Sequence, residues 1–404
     1  MATKAGAGEN GPLTGLRLIE MGQLLAGPFC GQLMADFGCE VIKIEQPKLG
    51  DPMREWGREK SGGKSLWWPV VARNKKSITL NARVPEGQEI IKQLVKKSDF
   101  LLENFRPTTM EKWNLGYEQL SAINPGIIMI RVSGYGQTGP YAPKAGYAAV
   151  GEAMGGLRYV VGDPSTPPSR VGISLGDTSA ATYACMGALM ALHHRHVTGR
   201  GQVVDSAIYE SVLQLMESLI TEYDKVGYIR ERTGSILPNV APSNVYPAKD
   251  GNFLIAANQD TVFRRLAEAM GRPELGTDPK YATHTARGQR QKELDDLISE
   301  WTKTKTVKEL EALMDKAGVP SGLIYRAPEM LADAHFKARE AIVEVNDKHL
   351  GKLKMQSTFP KLSSTPGKVR WTGPDLGEHN EDVYKGVLGM DDKTYKEYQE
   401  RGII

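Results

Sequence analysis

Residues 16–45 read LRLIEMGQLLAGPFCGQLMADFGCEVIKIE, and this stretch decides the fold. Leu16 to Glu20 predicts a first strand. The small-residue turn Ala26-Gly27-Pro28 follows, and the residues to about Phe37 predict a helix. Glu40-Val41-Ile42-Lys43-Ile44-Glu45 then predicts a second strand. The pattern repeats downstream. Ile78-Thr79-Leu80-Asn81 predicts a third strand, and Pro85-Glu86-Gly87 opens a helix to Lys97. Phe100-Leu101-Leu102-Glu103 and Ile127–Val132 are short apolar runs of the kind buried on both faces of a parallel sheet. Strands alternating with helices predict an α/β doubly wound sheet.

Further on, 178–196 and 205–227 predict two long helices with apolar stripes. From about residue 228 the texture changes. Asn239, Pro242, Ser243 and Asn244 mark a loop, Asn252–Ala257 predicts a strand after the Asp250-Gly251 turn, and charged helices follow to about Lys316. From Leu362 the tail reads as an extended segment returning to the first domain. The expected organisation is a flexible tail over 1–12, a large domain over 13–227, a smaller α+β domain over 228–325, and a linker with a returning segment over 326–404. A chain of 404 residues exceeds the usual size of one hydrophobic core, which agrees with two domains.

Composition narrows the functional classes. A net charge of +3 gives no bulk electrostatic support for nucleic acid binding. No run of about eighteen apolar residues appears, so no membrane span is expected. The start lacks the apolar core of a signal peptide and the arginine-rich face of a transit peptide. Cys30, Cys39 and Cys185 are sparse, odd in number and without metal-ligand spacing, so they read as small buried hydrophobes in a cytoplasmic protein, with no metal site.

One motif misleads. Gly6-Ala7-Gly8-Glu9-Asn10-Gly11 matches the dinucleotide fingerprint letter by letter, but no strand precedes it and Pro12 follows directly. There is no Walker A loop, no G-x-S-x-G elbow and no zinc signature. His193, His194 and His196 gather with Arg195 near the expected helix end, where positive charge is favourable. Asp177 stands apart. In Gly172-Ile173-Ser174-Leu175-Gly176-Asp177-Thr178-Ser179-Ala180, an apolar run ends and a helix rich in small residues begins. A carboxylate there faces unpaired backbone N–H groups, which suits an ordinary cap or a nucleophile held in place.

The chain resembles the class III (CaiB/BaiF-type) CoA-transferases. The resemblance rests on Leu25–Pro28, Leu33–Glu45, Gly50-Asp51, Arg73–Ser77 with Leu80, Glu103–Pro107, Gly134–Pro140, Gly176-Asp177, Thr198–Gln202 and Leu376–His379, in the family's order. It implies a Rossmann-like large domain, a small domain and two subunits interlocked as rings. It also implies an enzyme that transfers coenzyme A, with Asp177 as the catalytic nucleophile forming a mixed anhydride and then an aspartyl-CoA thioester. Water must be excluded from such a site. Gly176, Ser179, Ala180, Ala181 and Gly187 are expected to leave room for the acyl group, and backbone N–H groups to hold the oxyanion.

Carried over residue by residue, the CoA-binding positions are Ala26, Leu80, Arg83, Asn104, Phe105, Arg106 and Lys112, with Tyr147 near the reacting centre. No permanently bound cofactor is implied; the coenzyme A thioester is a substrate. The partners implied are an acyl-CoA, a small organic acid and a second subunit, identical or related. The pattern is similar to members that use succinyl-CoA as donor and a dicarboxylic acid as acceptor, with Arg54, Arg58 and Arg170 as candidate clamps for a second carboxylate.

Leu25 stands where the formyl-CoA enzymes carry glutamine, and Gln46 where they carry a nucleotide-contacting arginine. Their glycine-rich lid has no counterpart between Gly234 and Asn258. These departures argue against formyl or oxalyl substrates. An acyl-CoA racemase of the same fold needs a histidine where this chain has Tyr147. A phenol with an ordinary pKa of about 10 is a poor base at neutral pH.

Overall fold

The computed structural model describes residues 11–404. Most of the tail expected over 1–12, and Gly6–Asn10 of the glycine motif, lie outside the described residues. Two compact units form: one runs up to Leu157 and includes Val171–Ile220 and His335–Ile404, the other comprises Arg158–Arg170 and Thr221–Ala334.

The first unit holds a six-stranded sheet. In chain order its elements are β1 (Arg17–Glu20), α1 (Ala26–Asp36), β2 (Glu40–Glu45), β3 (Lys75–Thr79), α2 (Pro85–Val95), β4 (Phe100–Glu103), β5 (Ile128–Ser133), α3 (Ala148–Met154), α4 (Leu175–Thr198), β6 (Val203–Ala207) and α5 (Ile208–Leu213). The strands lie in the order β3-β2-β1-β4-β5-β6, and every pair is parallel. This is the doubly wound order of dinucleotide-binding folds, with its switch point between β1 and β4.

Helices cover both faces, so the central strands read as apolar runs. Ile19, Ile42, Ile78, Leu101 and Met129 face one core with Ile91 and Leu94 of α2. Leu18, Val41, Phe100, Leu102 and Ile130 face the other, with α1 and α4. Ala180, Ala181, Ala184, Ala188 and Ala191 of α4 belong to that second core beside Ala26, Cys30, Met34 and Ala35 of α1. Small side chains on both helices let their backbones approach closely. Cys30 and Cys39 are buried in it as expected, and Cys185 is half-buried.

Two expectations fail here. The long helix over 205–227 is instead β6, α5 and a separate helix Leu219–Val226. Residues 205–207 complete the strand, where Ser206 donates to Ala180 O and Asp205 accepts from Gln137 N. The segment from Leu362 is extended only at first. It then coils over Asp382–Val387 and forms a helix, Asp392–Glu400, capped by Asp391.

The extended part lies along the edge strand β3. Lys75 O accepts from the Trp371 indole, Ser77 N donates to His379 Nδ1, and Thr79 N donates to Asn380 Oδ1. A free strand edge invites pairing with other chains, and this segment covers it. Burial lowers the His379 pKa, which favours the neutral ring that accepts from Ser77.

In the second unit, β7 (Ser243–Pro247), β8 (Asn252–Ala256) and β9 (Ser321–Leu323) form an antiparallel sheet with β8 in the middle. Helices α6 (Asp260–Ala269), α7 (Gln291–Thr302) and α8 (Val307–Ala317) bury Phe263, Leu266, Leu294, Ile298, Leu310 and Met314 against Tyr246 and Phe253. Thr306 and Glu309 form a capping box at the start of α8, and Gly318 ends it in the left-handed conformation.

Candidate functional site

At the switch point the chain leaves β1 and β4 in opposite directions, so a crevice opens at their C-terminal ends. Its floor is a buried charge cluster. Glu20, the last residue of β1, receives hydrogen bonds from the Lys43 and Lys75 ammonium groups of β2 and β3. Lys43 also pairs with Asp51 at 2.7 Å and donates to Gly22 O, and Lys75 donates to Pro28 O. Glu45 and Arg54 add a further pair at 2.7 Å. Three acids thus meet three bases, and the two lysines hold the β1–α1 turn from beneath. Burial opposes the charge on Lys43, but Asp51, Glu20 and Glu45 outweigh it and raise its pKa; at Lys75 burial prevails and lowers it.

Above this floor, Asn104 clasps the two sides of the crevice. Its amide nitrogen donates to Gln23 O at 2.9 Å and its oxygen accepts from Gln23 N at 2.8 Å. Phe105 donates its N–H to Glu103, and its half-buried ring meets Trp113 edge to face with centroids 5.2 Å apart. Ala26 sits buried at the first residue of α1.

Leu80 departs from expectation. It is 1% exposed and its side chain belongs to the core, so only its main chain can border a ligand. Arg83, Arg106 and Lys112 are exposed and make no ion pair among the described residues. Arg83 follows β3 and Arg106 follows β4, three strand spacings away, or about 14 Å. The mouth of the crevice is therefore flanked by cations open to a polyanion.

Asp177 reaches the same edge on α4. This helix ends at Thr198 and leads into β6, so it runs against the strands and its start lies at their C-terminal ends. Gly199 stops it in the left-handed conformation at φ 74°, which explains the Thr-Gly-Arg-Gly-Gln stretch as a helix stop. Asp177 lies inside the helix, not before it as expected. Ser174 is the N-cap, its side chain makes no capping bond, and Asp177 is the third helical residue, half-buried.

The small residues around Asp177 have a different purpose from the one expected. A Cβ on Gly176 would lie 3.1 Å from Glu152 Cγ and 3.2 Å from Ile208 Cγ2, and one on Gly187 would lie 2.7 Å from Val204 Cγ1. Ala180 and Ala181 are wholly buried, and Ser179 bonds Ser211 and Gly176 O. They seat α4 closely on its neighbours, and protein atoms fill the space beside Gly176 and Gly187.

Tyr147 is the N-cap residue of α3 and 74% exposed. The loop after β5 packs beside it, since a Cβ on Gly134 would lie 3.0 Å from Gly146 Cα. Of the candidate clamps, Arg54 is committed to Glu45 and Pro374 O, which corrects its assignment. Arg58 is exposed beside Glu59, and Arg170 is exposed in the second unit. His193, His194 and His196 are exposed on the last turns of α4, while Arg195 pairs with Asp99. A cavity of about 460 Å³ lies at the opposite, N-terminal edge of the sheet, where Arg17 and Lys76 both pair with Glu40.

Two features escaped sequence reasoning. The Glu20–Lys43–Lys75 cluster was signalled by Lys43 between Ile42 and Ile44 in an otherwise apolar run. Glu152 was signalled by an acid among the small residues Gly151, Ala153, Gly155 and Gly156. It is 0% exposed and accepts a hydrogen bond from Gly176 N at 3.3 Å.

Comparison with known proteins places this geometry. The model of CoA-transferase family III matches residues 13–380. The succinyl-CoA–D-citramalate CoA-transferase of Chloroflexus aurantiacus is 60% identical over 394 residues, 97% of this chain and 98% of that protein. The succinyl-CoA–L-malate CoA-transferase beta subunit of the same organism is 40% identical over 97% of this chain and 98% of its own length. The crystal structure of a CaiB/BaiF family protein from Brucella suis superposes with a TM-score of 0.83 at 34% identity, covering 94% of this chain and 100% of that one.

Proposed function

We propose, from the premise that this chain belongs to CoA-transferase family III, that it moves coenzyme A from succinyl-CoA to a dicarboxylic acid through covalent intermediates on Asp177. One observation carries the reading: Asp177 stands in the first turn of α4, at the edge of the sheet where the β1–β4 crevice opens.

The Asp177 carboxylate attacks the thioester carbonyl carbon; the C–S bond breaks and CoA leaves as thiolate, giving a succinyl-aspartyl anhydride. The thiolate then attacks the aspartyl carbonyl, releasing succinate and leaving an aspartyl-CoA thioester. The acceptor carboxylate attacks that thioester; its C–S bond breaks, CoA leaves again as thiolate, and a second anhydride forms. The thiolate finally takes the acceptor's acyl group and frees Asp177. One thioester replaces another, with no net proton and no oxidant. The start of α4 favours negative charge on Asp177 between turnovers.

Arg83, Arg106 and Lys112 meet the CoA phosphates in this scheme. Ala26 and the Leu80 main chain border the nucleotide, Asn104 and Phe105 shape the crevice, and Tyr147 lies by the acyl group. The relatives' names direct the choice of acceptor to citramalate first and malate second.

The working form is a dimer of interlocked subunits, identical or related. Support comes from Met186, Leu189, Met190 and Val197, an exposed apolar stripe along α4, and from a relative that is one subunit of a two-subunit enzyme. A cytoplasmic location belongs to the same reading, supported by three free cysteines.

The test is the purified chain assayed alone with succinyl-CoA against citramalate, malate, glutarate and monocarboxylic acids. Transfer to a dicarboxylate, lost in Asp177→Ala with the native mass unchanged, is expected. Transfer by Asp177→Ala at the normal rate overturns the mechanism. Activity only after adding a related chain selects the heteromer.

A further inference from the structure

The geometry points to Glu152 as a positioning residue that sets the first turn of α4, and with it the Asp177 carboxylate. The inference rests on Asp177 being the nucleophile. A helix start leaves its first N–H groups without internal partners, and a residue at the N-cap commonly satisfies one. Ser174 does not do so with its side chain. Glu152, from the separate helix α3, accepts from Gly176 N instead. That amide belongs to the residue directly before Asp177.

The contact is enclosed. Glu152 is 0% exposed, and the space a Gly176 side chain would need is filled by Glu152 Cγ, Ile208 Cγ2 and Ala148 O. A buried acid is held by its hydrogen-bond partners, so its position and that of its partner are mutually fixed. Ser179 reinforces the arrangement one turn on, bonded to Gly176 O and to Ser211. Tyr147 is the N-cap of the same short helix. A shift of α3 therefore moves the residue beside the acyl group and the support under the nucleophile together. The acceptor oxygen of Glu152 is what the role requires; an uncharged amide oxygen at that place serves as well.

The test compares Glu152→Leu and Glu152→Gln in the full chain, with succinyl-CoA and the accepted dicarboxylic acid. For Glu152→Leu we expect kcat to fall about 10- to 100-fold, as misplaced reacting groups do, with KM for succinyl-CoA within about twofold. Glu152→Gln, which keeps an acceptor oxygen, should recover most of the rate. Hydrogen exchange at the Gly176 amide should quicken in the leucine variant and not in the glutamine one.

Normal kcat in Glu152→Leu, or a glutamine variant as slow as the leucine one, overturns the role. Should Glu152→Leu fail to fold, Gly176→Ala displaces the same contact and must show the same kcat-selective loss. Failure of the underlying mechanism is separate: it shows as turnover by Asp177→Asn, whatever the Glu152 variants do.

Discussion

A cluster of acids and a single aspartate stand at one edge of one sheet in different surroundings. Glu20, Asp51 and Glu45 beneath the β1–α1 turn are closed off by Lys43, Lys75 and Arg54. Asp177 on α4 is half-buried in a turn where Gly176 N donates to Glu152 and Gly176 O accepts from Ser179, whose hydroxyl also bonds Ser211. The first set is buried under compensating charge and fixes backbone. The second is half-buried in the first turn of its helix, a placement that suits the nucleophile role proposed for Asp177.

The largest expected break in that comparison is Asp177→Asn. Transfer should fall by about 10⁴-fold or more, since a covalent nucleophile is lost, while the thermal midpoint barely moves. Steady-state rates and a thermal melt together check both halves. Lys43→Met attacks the other side. It leaves Glu20 and Asp51 buried beside a missing ammonium, and urea unfolding should show a loss of about 3–5 kcal/mol.

Smaller effects come from the mouth of the crevice. Arg83→Ala and Arg106→Ala should each raise KM for the acyl-CoA by about tenfold or more, as loss of a charged hydrogen bond does, with kcat nearly unchanged. A lowered kcat with normal KM would move those residues away from the phosphates.

The smallest effect is a pH dependence. Burial opposes the Asp51 charge, but Lys43 and the Met53 and Leu24 amides outweigh it and hold its pKa below the ordinary value. An acid held low in the folded state stabilises the fold above its ordinary pKa, and the gain is lost as pH falls through the folded value. Acid unfolding should therefore begin at higher pH in Asp51→Asn, which never had that gain to keep. An unchanged acid limb would place the sensitivity elsewhere.

Much of this was legible in the sequence because it is local. Alternation of apolar strand and helix from Leu16 to Val132 carried the doubly wound sheet, and the order of motifs pointed to Asp177, Asn104 and Arg106, which the fold brings to one edge of that sheet. What was illegible depends on contacts between distant segments. Val203–Ala207 pairs with Ile128–Ser133 although its polar residues hide it. Leu80 resembled a ligand contact, yet its side chain belongs to the core. Gly176 and Gly187 looked like room, but the space is occupied by Glu152, Ile208 and Val204. Arg54 looked available until Glu45, nine residues earlier, turned up against it.

The central claim is that Asp177 carries CoA during turnover. Incubating the chain with succinyl-CoA, trapping at low pH, digesting and sequencing by mass spectrometry tests it directly. The account predicts a CoA adduct on Asp177, absent in Asp177→Asn and discharged by added dicarboxylic acid. An active chain whose Asp177 peptide stays unmodified, or whose adduct sits on another residue, would contradict it.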